Sequence, residues 1–248
     1  MIAKWIAVLS LVLAVQDPAE LTEAKTFKGA SGATLPYRIY RPKPADAGKK
    51  FPLLLFLHGA GERGDDNAIQ LKHGIRQFLA QQEKTPCVIV APQCPKNLSW
   101  AAIRRGETPR LLEKPSEPAA LTLELVDALR KELPLDESRL YVTGLSMGGY
   151  GTWDLLCRRP ELFAAGVPIC GGGDPSKAAL IAKVPQWIFH GDKDTAVPVD
   201  SSRTMVEALK TAGGEPKYTE YPGVGHNSWD KAYGDPELYT WLFAQKRK

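Results

Sequence analysis

The sequence predicts an α/β protein: a mostly parallel central sheet with helices on both faces, in a single domain. Two observations predict this class. Short apolar runs that end in turn residues alternate with longer amphipathic segments, as strands and helices do around a parallel sheet. The chain of 248 residues has neither an internal repeat nor a low-complexity linker, and this length is common for one α/β domain.

The predicted strands are mostly continuous apolar runs, which is typical of strands covered on both faces. Tyr37–Pro42 instead alternates polar and apolar residues, as a strand near a sheet edge would, and Tyr218–Pro222 fits one more strand. The continuous runs are Pro52–His58, Cys87–Gln93, Leu140–Ser146, Ala164–Cys170 and Gln186–Asp192.

Three segments between or after these runs are predicted to be helices. Glu117–Leu133 repeats leucine and valine at three- and four-residue steps and gathers Lys and Arg at its end. Ser201–Gly214 ends in a glycine pair that suits a helix C-cap. The residues from Pro236 onward fit a terminal helix.

The segment Lys96–Pro118 interrupts this alternation. It has little periodicity, contains three prolines and directly follows a strand. Ligands of open α/β sheets bind beyond the carboxyl ends of the strands, so this loop is expected to overhang a site there. The pattern alone fits an irregular surface loop equally well, and Trp100 within it favours a binding role.

The N-terminus has the features of a signal peptide. Lys4 precedes the apolar run Trp5–Val15, which is too short to span a bilayer comfortably and ends abruptly before Gln16. We therefore expect residues 1–16 to be a signal peptide, residues 17–248 to form the catalytic domain, and the protein to be secreted or periplasmic, with no stable membrane span. A buried N-terminal helix is the alternative.

Charge distribution and cysteine spacing indicate which partners to expect and whether the cysteines form disulfides. The formal net charge is +4, but Lys and Arg are scattered, so nucleic acid is not an expected partner. Cys87, Cys94, Cys157 and Cys170 have no metal-type spacing and lie in or beside apolar segments, which favours buried free thiols over disulfides.

Ser146 lies in the pattern Gly-x-Ser-x-Gly, between a predicted buried strand and a segment that can be helical. A sharp strand-to-helix turn strains the backbone at the serine, and glycines around it avoid clashes. The N-terminus of the following helix presents free N–H groups to a developing oxyanion. This context predicts a nucleophile rather than an ordinary loop serine.

A serine nucleophile needs a base and an acid that orients the base. His226 lies in a Gly-rich loop after the last predicted strand, where a base belongs in the chain order Ser, acid, His. His58 and His190 each end an apolar run before Gly, which indicates structural positions. Between Ser146 and His226, the sequence offers Asp194 as the acid, and Asp192 is more suited to bonding loop backbone.

Two backbone amides are predicted to form the oxyanion hole. The loop HGAGERGDDN follows a central strand, and such HG-x-G loops supply one N–H, here from Ala60. Met147, the residue after the nucleophile, supplies the other. A phosphate-binding loop is excluded for this segment because the G-x-x-x-x-G-K-[ST] pattern is absent.

Together these residues resemble the α/β-hydrolase superfamily across nearly all of the chain after residue 16. More narrowly, the motifs resemble bacterial exported esterases related to phospholipase/carboxylesterase, feruloyl-esterase-like and polyhydroxybutyrate-depolymerase-like proteins, often labelled prolyl-oligopeptidase-family or dienelactone-hydrolase-like. The motifs are HGAGERGDDN, PQCP, GLSMGGYGTWD, HGDKDTAVP and GHNSWDKAY. The family triad maps onto Ser146, Asp194 and His226. Dienelactone hydrolases proper use a Cys nucleophile, so that chemistry is not implied here.

The expected function is a serine carboxylester hydrolase that needs no cofactor and no metal. Its substrates would be small-molecule or carbohydrate-linked esters with short-chain or aromatic acyl groups, because no segment other than Lys96–Pro118 is long enough for a lipase-type lid. Trp100 and Trp229 are expected to rim an open site and bind the substrate. A thioesterase, a small peptidase or an inactive binding protein on this scaffold are the alternatives.

Overall fold

The computed structural model describes residues 17–43, 48–104 and 109–247. The predicted signal segment, residues 1–16, lies outside these ranges. Within them, no helix combines the length and the apolar character needed to cross a bilayer.

An eight-stranded sheet forms the centre of the described structure, in the strand order β1-β2-β4-β3-β7-β8-β9-β10. Only β2 runs antiparallel to its neighbours, and the other pairs are parallel. The strands are β1 (Glu23–Lys28), β2 (Thr34–Tyr40), β3 (Phe51–Leu57), β4 (Val88–Pro92), β7 (Leu135–Leu145), β8 (Ala165–Ile169), β9 (Trp187–Gly191) and β10 (Lys217–Tyr221). A separate two-stranded ribbon pairs β5 (Ile103–Arg104) with β6 (Arg110–Leu111).

Helices cover both faces of this sheet. The helices are α1 (Pro18–Leu21), α2 (Ile75–Ala80), α3 (Glu117–Glu132), α4 (Met147–Arg158), α5 (Ala178–Ile181), α6 (Asp200–Thr211), α7 (Trp229–Gly234) and α8 (Pro236–Ala244). One hydrophobic cluster joins the sheet to α3, α4 and α6, and a second joins the opposite face to α2, α7 and α8. The α/β class, the mostly parallel sheet and the single domain are confirmed.

Strand β3 shows why continuous apolar runs indicate central strands. Successive side chains of a strand point to opposite faces. Leu53, Leu55 and Leu57 join one hydrophobic cluster, while Leu54 and Phe56 join the other. All seven residues of β3 are buried. The predicted free thiols are also confirmed, because all four cysteines are unpaired and only Cys157 is not fully buried.

The segment predicted as an overhanging loop is fastened to the body of the protein. Arg158, in the last turn of α4, donates to the carbonyls of Leu112, Glu113 and Lys114 at 2.9–3.3 Å. The buried carboxylate of Asp174 accepts hydrogen bonds from the Leu111 amide and from Arg110. These bonds explain how a segment with little periodicity keeps a defined path beside α4.

Candidate active site

The serine turn joins β7 to α4 with backbone strain at Ser146. Its φ of 53° is a value that residues with a side chain adopt rarely. Glycines allow the close packing of this turn: a Cβ on Gly148 would lie 1.9 Å from the carbonyl oxygen of Leu57. The turn therefore holds the Ser146 side chain at the carboxyl end of a central strand.

Ser146, His226 and Asp194 form a continuous chain of hydrogen bonds. The Nε2 atom of His226 lies 2.9 Å from Ser146 Oγ, and its Nδ1 atom lies 2.7 Å from Asp194 Oδ2. The Asp194 carboxylate is fully buried, whereas 28% of the His226 side chain is exposed. The structure thus brings together the three residues predicted as a triad, in the geometry of nucleophile, base and orienting acid.

The Asp194 carboxylate is held ionised by its surroundings. Burial by itself would raise its pKa, but hydrogen bonds from His226 and from the amides of Val197 and Ala196 outweigh burial and lower the pKa. Asp192, the other carboxylate of the same loop, instead accepts from the Gly223 amide at 2.7 Å. Only Asp194 of these two therefore contacts a histidine ring.

His190 is a second imidazole on the same carboxylate. Its Nε2 atom lies 3.1 Å from Asp194 Oδ2 and 3.0 Å from the Val197 carbonyl oxygen, so it must be the protonated nitrogen. Its Nδ1 atom lies 2.7 Å from Ser202 Oγ. Burial lowers the pKa of His190 and keeps the ring neutral. The ring therefore positions Asp194, a role that sequence alone indicated only as structural.

His58 determines the direction of the amide predicted as one oxyanion donor. Its Nδ1 atom lies 2.6 Å from the Gly59 carbonyl oxygen and, since its Nε2 accepts from the Cys94 amide, Nδ1 is the donor. The C=O and N–H of a trans peptide point in opposite directions, so fixing the Gly59 carbonyl also fixes the Ala60 N–H. Ala60 begins a short 3-10 helix, Ala60–Glu62, and Met147 begins α4, so neither amide has an intrahelical acceptor.

Acid is expected to destabilise the protein through His58. Burial, above all, lowers the pKa of this histidine from 6.5 to about 4, so below pH 6.5 the unfolded chain binds a proton that the folded protein does not. By linkage, the free energy of unfolding should fall by on the order of 3 kcal/mol as the pH falls through this window.

Urea unfolding at several values between pH 6.5 and pH 4 measures this effect. In His58→Asn, whose amide retains a donor for the Gly59 carbonyl but does not titrate, the dependence on pH should be flatter. An equally steep dependence in this variant would show that other groups cause the acid sensitivity.

Trp100 does not lie on the rim of the site, and its predicted substrate-binding position is wrong. The side chain is 1% exposed, its Nε1 donates to the His58 carbonyl at 3.0 Å, and its ring packs edge-on against His58. Trp100 thus packs in the protein interior against His58, the residue that directly follows β3. Trp229 is half-buried, and its ring meets that of His226 at 5.3 Å, nearly perpendicular.

One group of potential metal ligands occurs in the described part of the chain. Ligand atoms of Cys170, Asp194 and His226 lie within 4.8 Å of one another. Burial raises the pKa of the Cys170 thiol to about 12, so this residue is a protonated thiol at neutral pH. Since Asp194 and His226 are hydrogen-bonded to each other, this arrangement favours acid–base chemistry over metal binding.

A comparison with protein families assigns this chain to a known family. The sequence profile of the dienelactone hydrolase family matches residues 107–233, just over half of the chain. The chain belongs to the dienelactone hydrolase family. The matched range includes Ser146, Asp194 and His226, whereas Ala60 lies before it.

Several proteins that are similar to this chain are named as esterases. A solved thermostable esterase is 42% identical, with a TM-score of 0.86 over 92% of this chain, which spans 64% of that protein's length. Probable feruloyl esterase C of Aspergillus oryzae is 25% identical over 77% of this chain and 67% of the relative. An endo-1,4-beta-xylanase/feruloyl esterase of Xylanibacter ruminicola is 28% identical over 72% of this chain but only 24% of the relative. The α/β-hydrolase fold and the relationship to esterases follow from these comparisons.

Proposed function

We propose that this protein is a serine carboxylester hydrolase that works through an acyl-enzyme at Ser146. The observation that carries the proposal is the unbroken hydrogen-bond chain from Ser146 through His226 to the buried Asp194. A hydroxyl group is a weak nucleophile by itself, and an adjacent imidazole can accept its proton as the new bond forms.

The proposed reaction has two halves. Ser146 Oγ attacks the ester carbonyl carbon while His226 Nε2 accepts the hydroxyl proton, and the amides of Ala60 and Met147 stabilise the oxyanion. His226 then protonates the departing alkoxide. In the second half, water attacks the acyl-enzyme, His226 accepts its proton, and Ser146 leaves as the regenerated hydroxyl. Asp194 stabilises the charged imidazole in both halves.

The proposed substrates are short-chain or aromatic acyl esters, including esters on carbohydrates. The feruloyl esterases among the relatives support this class.

We also propose that the protein acts outside the cytoplasm. The basic residue, apolar run and abrupt polar end of residues 4–16 support export.

Chain-length preference is expected to decline beyond short acyl groups. Measuring kcat/KM on acetyl, butyryl, octanoyl, palmitoyl and feruloyl esters should give high values for acetyl, butyryl or feruloyl esters and low values for palmitoyl esters. Each buried CH₂ would contribute about 0.8 kcal/mol, so a surface that bound long chains would produce a clear rise. A steady rise of kcat/KM out to palmitoyl would contradict the proposed substrate class and favour a lipase.

A further inference from the structure

Glu62 is a buried carboxylate whose hydrogen-bonding capacity is unused in the described structure. The residue is 6% exposed, and neither carboxylate oxygen accepts a hydrogen bond from residues 17–43, 48–104 or 109–247. Its ion-pair partner is His73 Nε2 at 3.8 Å, which is too long for a hydrogen bond. Buried carboxylates are normally paired and hydrogen-bonded, so the Glu62 oxygens have acceptor capacity left for a ligand.

This carboxylate lies beside the proposed nucleophile. A Cβ placed on Gly59 would meet Glu62 Oε2 at 3.0 Å and the Cβ of Ser146 at 3.7 Å. The side chains of Glu62 and Ser146 therefore both approach Gly59 closely. Neither Glu62 oxygen is among the fully enclosed polar atoms that lack a partner, so both oxygens keep some contact with solvent.

Two rings connect Glu62 to His226. The His73 ring lies 5.5 Å from the Trp229 ring, which in turn meets His226 at 5.3 Å. The Trp229 Nε1–H is enclosed and has no acceptor in the described structure. Two polar groups near Ser146 and His226 therefore lack a hydrogen-bond partner in the described structure. One is an acceptor, the Glu62 carboxylate, and the other is a donor, the Trp229 Nε1–H.

We propose that Glu62, flanked by His73 and Trp229, forms a subsite for a neutral hydroxyl group on the alcohol portion of the ester. This subsite rests on the proposed function, because His226 protonates the leaving alkoxide and the alcohol must therefore lie on the His226 side. A hydroxyl can donate to the Glu62 carboxylate, whereas an anionic group would be repelled by it. Alcohols with several hydroxyls, such as sugars, are the substrates that this subsite favours.

The test uses two esters that differ only in the group that Glu62 would bind. 2-Hydroxyethyl acetate and propyl acetate have the same acyl group, and a hydroxyl in one replaces a methyl in the other. The measured quantity is the ratio of kcat/KM for the hydroxylated ester to kcat/KM for propyl acetate. Hydrogen bonds to charged groups predict a ratio about 10- to 100-fold lower in Glu62→Met than in the parent protein.

Glu62→Gln keeps a neutral acceptor, so its ratio should lie between those of the parent protein and Glu62→Met. The control is Asp65→Asn, which removes the same charge from an exposed carboxylate of the same loop and should leave the ratio unchanged. An equal loss on both esters in the Glu62 variants, with an unchanged ratio, would show that Glu62 only supports the loop and would overturn the subsite. Hydrolysis of neither ester by the parent protein would overturn the subsite, and failure on the butyryl and feruloyl esters as well would overturn the proposed function itself.

Discussion

Ser146→Ala is expected to lower kcat for p-nitrophenyl acetate by a factor of roughly 10³ to 10⁶, because no acyl-enzyme can form without the Ser146 hydroxyl. The fold should persist. Alanine shares the Cβ of serine, so the strain at φ 53° is unchanged, and the hydroxyl lost has His226 as its side-chain partner.

Steady-state kinetics, with a thermal unfolding curve as the control for folding, measure this effect. Turnover by a folded Ser146→Ala protein near the parent rate would mean that another group attacks the ester.

Asp194→Asn is expected to lower kcat by roughly 10⁴, the loss seen when the acid of such a triad becomes an amide. The Asp194 Oδ1 atom accepts from two backbone amides, so the amide oxygen of asparagine should take this position and its NH₂ group should face His226. The NH₂ group is a donor, so His226 Nδ1 would have to be unprotonated and its Nε2 would carry the proton towards Ser146. The base could then no longer accept the serine proton.

Asp192→Asn is the matched control from the same loop. The amide oxygen of asparagine can still accept from the Gly223 N–H, so kcat should change little. A larger loss in Asp192→Asn than in Asp194→Asn would contradict the assignment of the acid.

The sequence predicted the strands that are buried on both faces, because such strands are apolar at nearly every position. Strand β3 is covered on both faces, and its sequence is therefore apolar throughout. Strand β1 was not predicted because it is an edge strand with mostly exposed residues, so its sequence, EAKTFK, has no apolar run. The ribbon of β5 and β6 has two residues in each strand, too few for any period to show.

The predicted site followed from chain order, since the carboxyl ends of parallel strands bring Ser146, Asp194 and His226 to one edge of the sheet. Side-chain burial in irregular segments was less predictable. Trp100 lies in a segment without periodicity, so nothing in its sequence neighbourhood indicates that the ring packs inward on His58. Glu62 was missed for a related reason: sequence does not distinguish it from Asp65 and Asp66, and only tertiary packing buries one acid of the three.

The most direct test of Ser146 as the nucleophile is intact-protein mass spectrometry after reaction with a fluorophosphonate probe, followed by peptide mapping. We expect one phosphonyl adduct, on Ser146, that forms in the parent protein and in Asp65→Asn but not in folded Ser146→Ala. Absence of an adduct on the folded parent protein, or an adduct that persists in Ser146→Ala, would contradict this assignment.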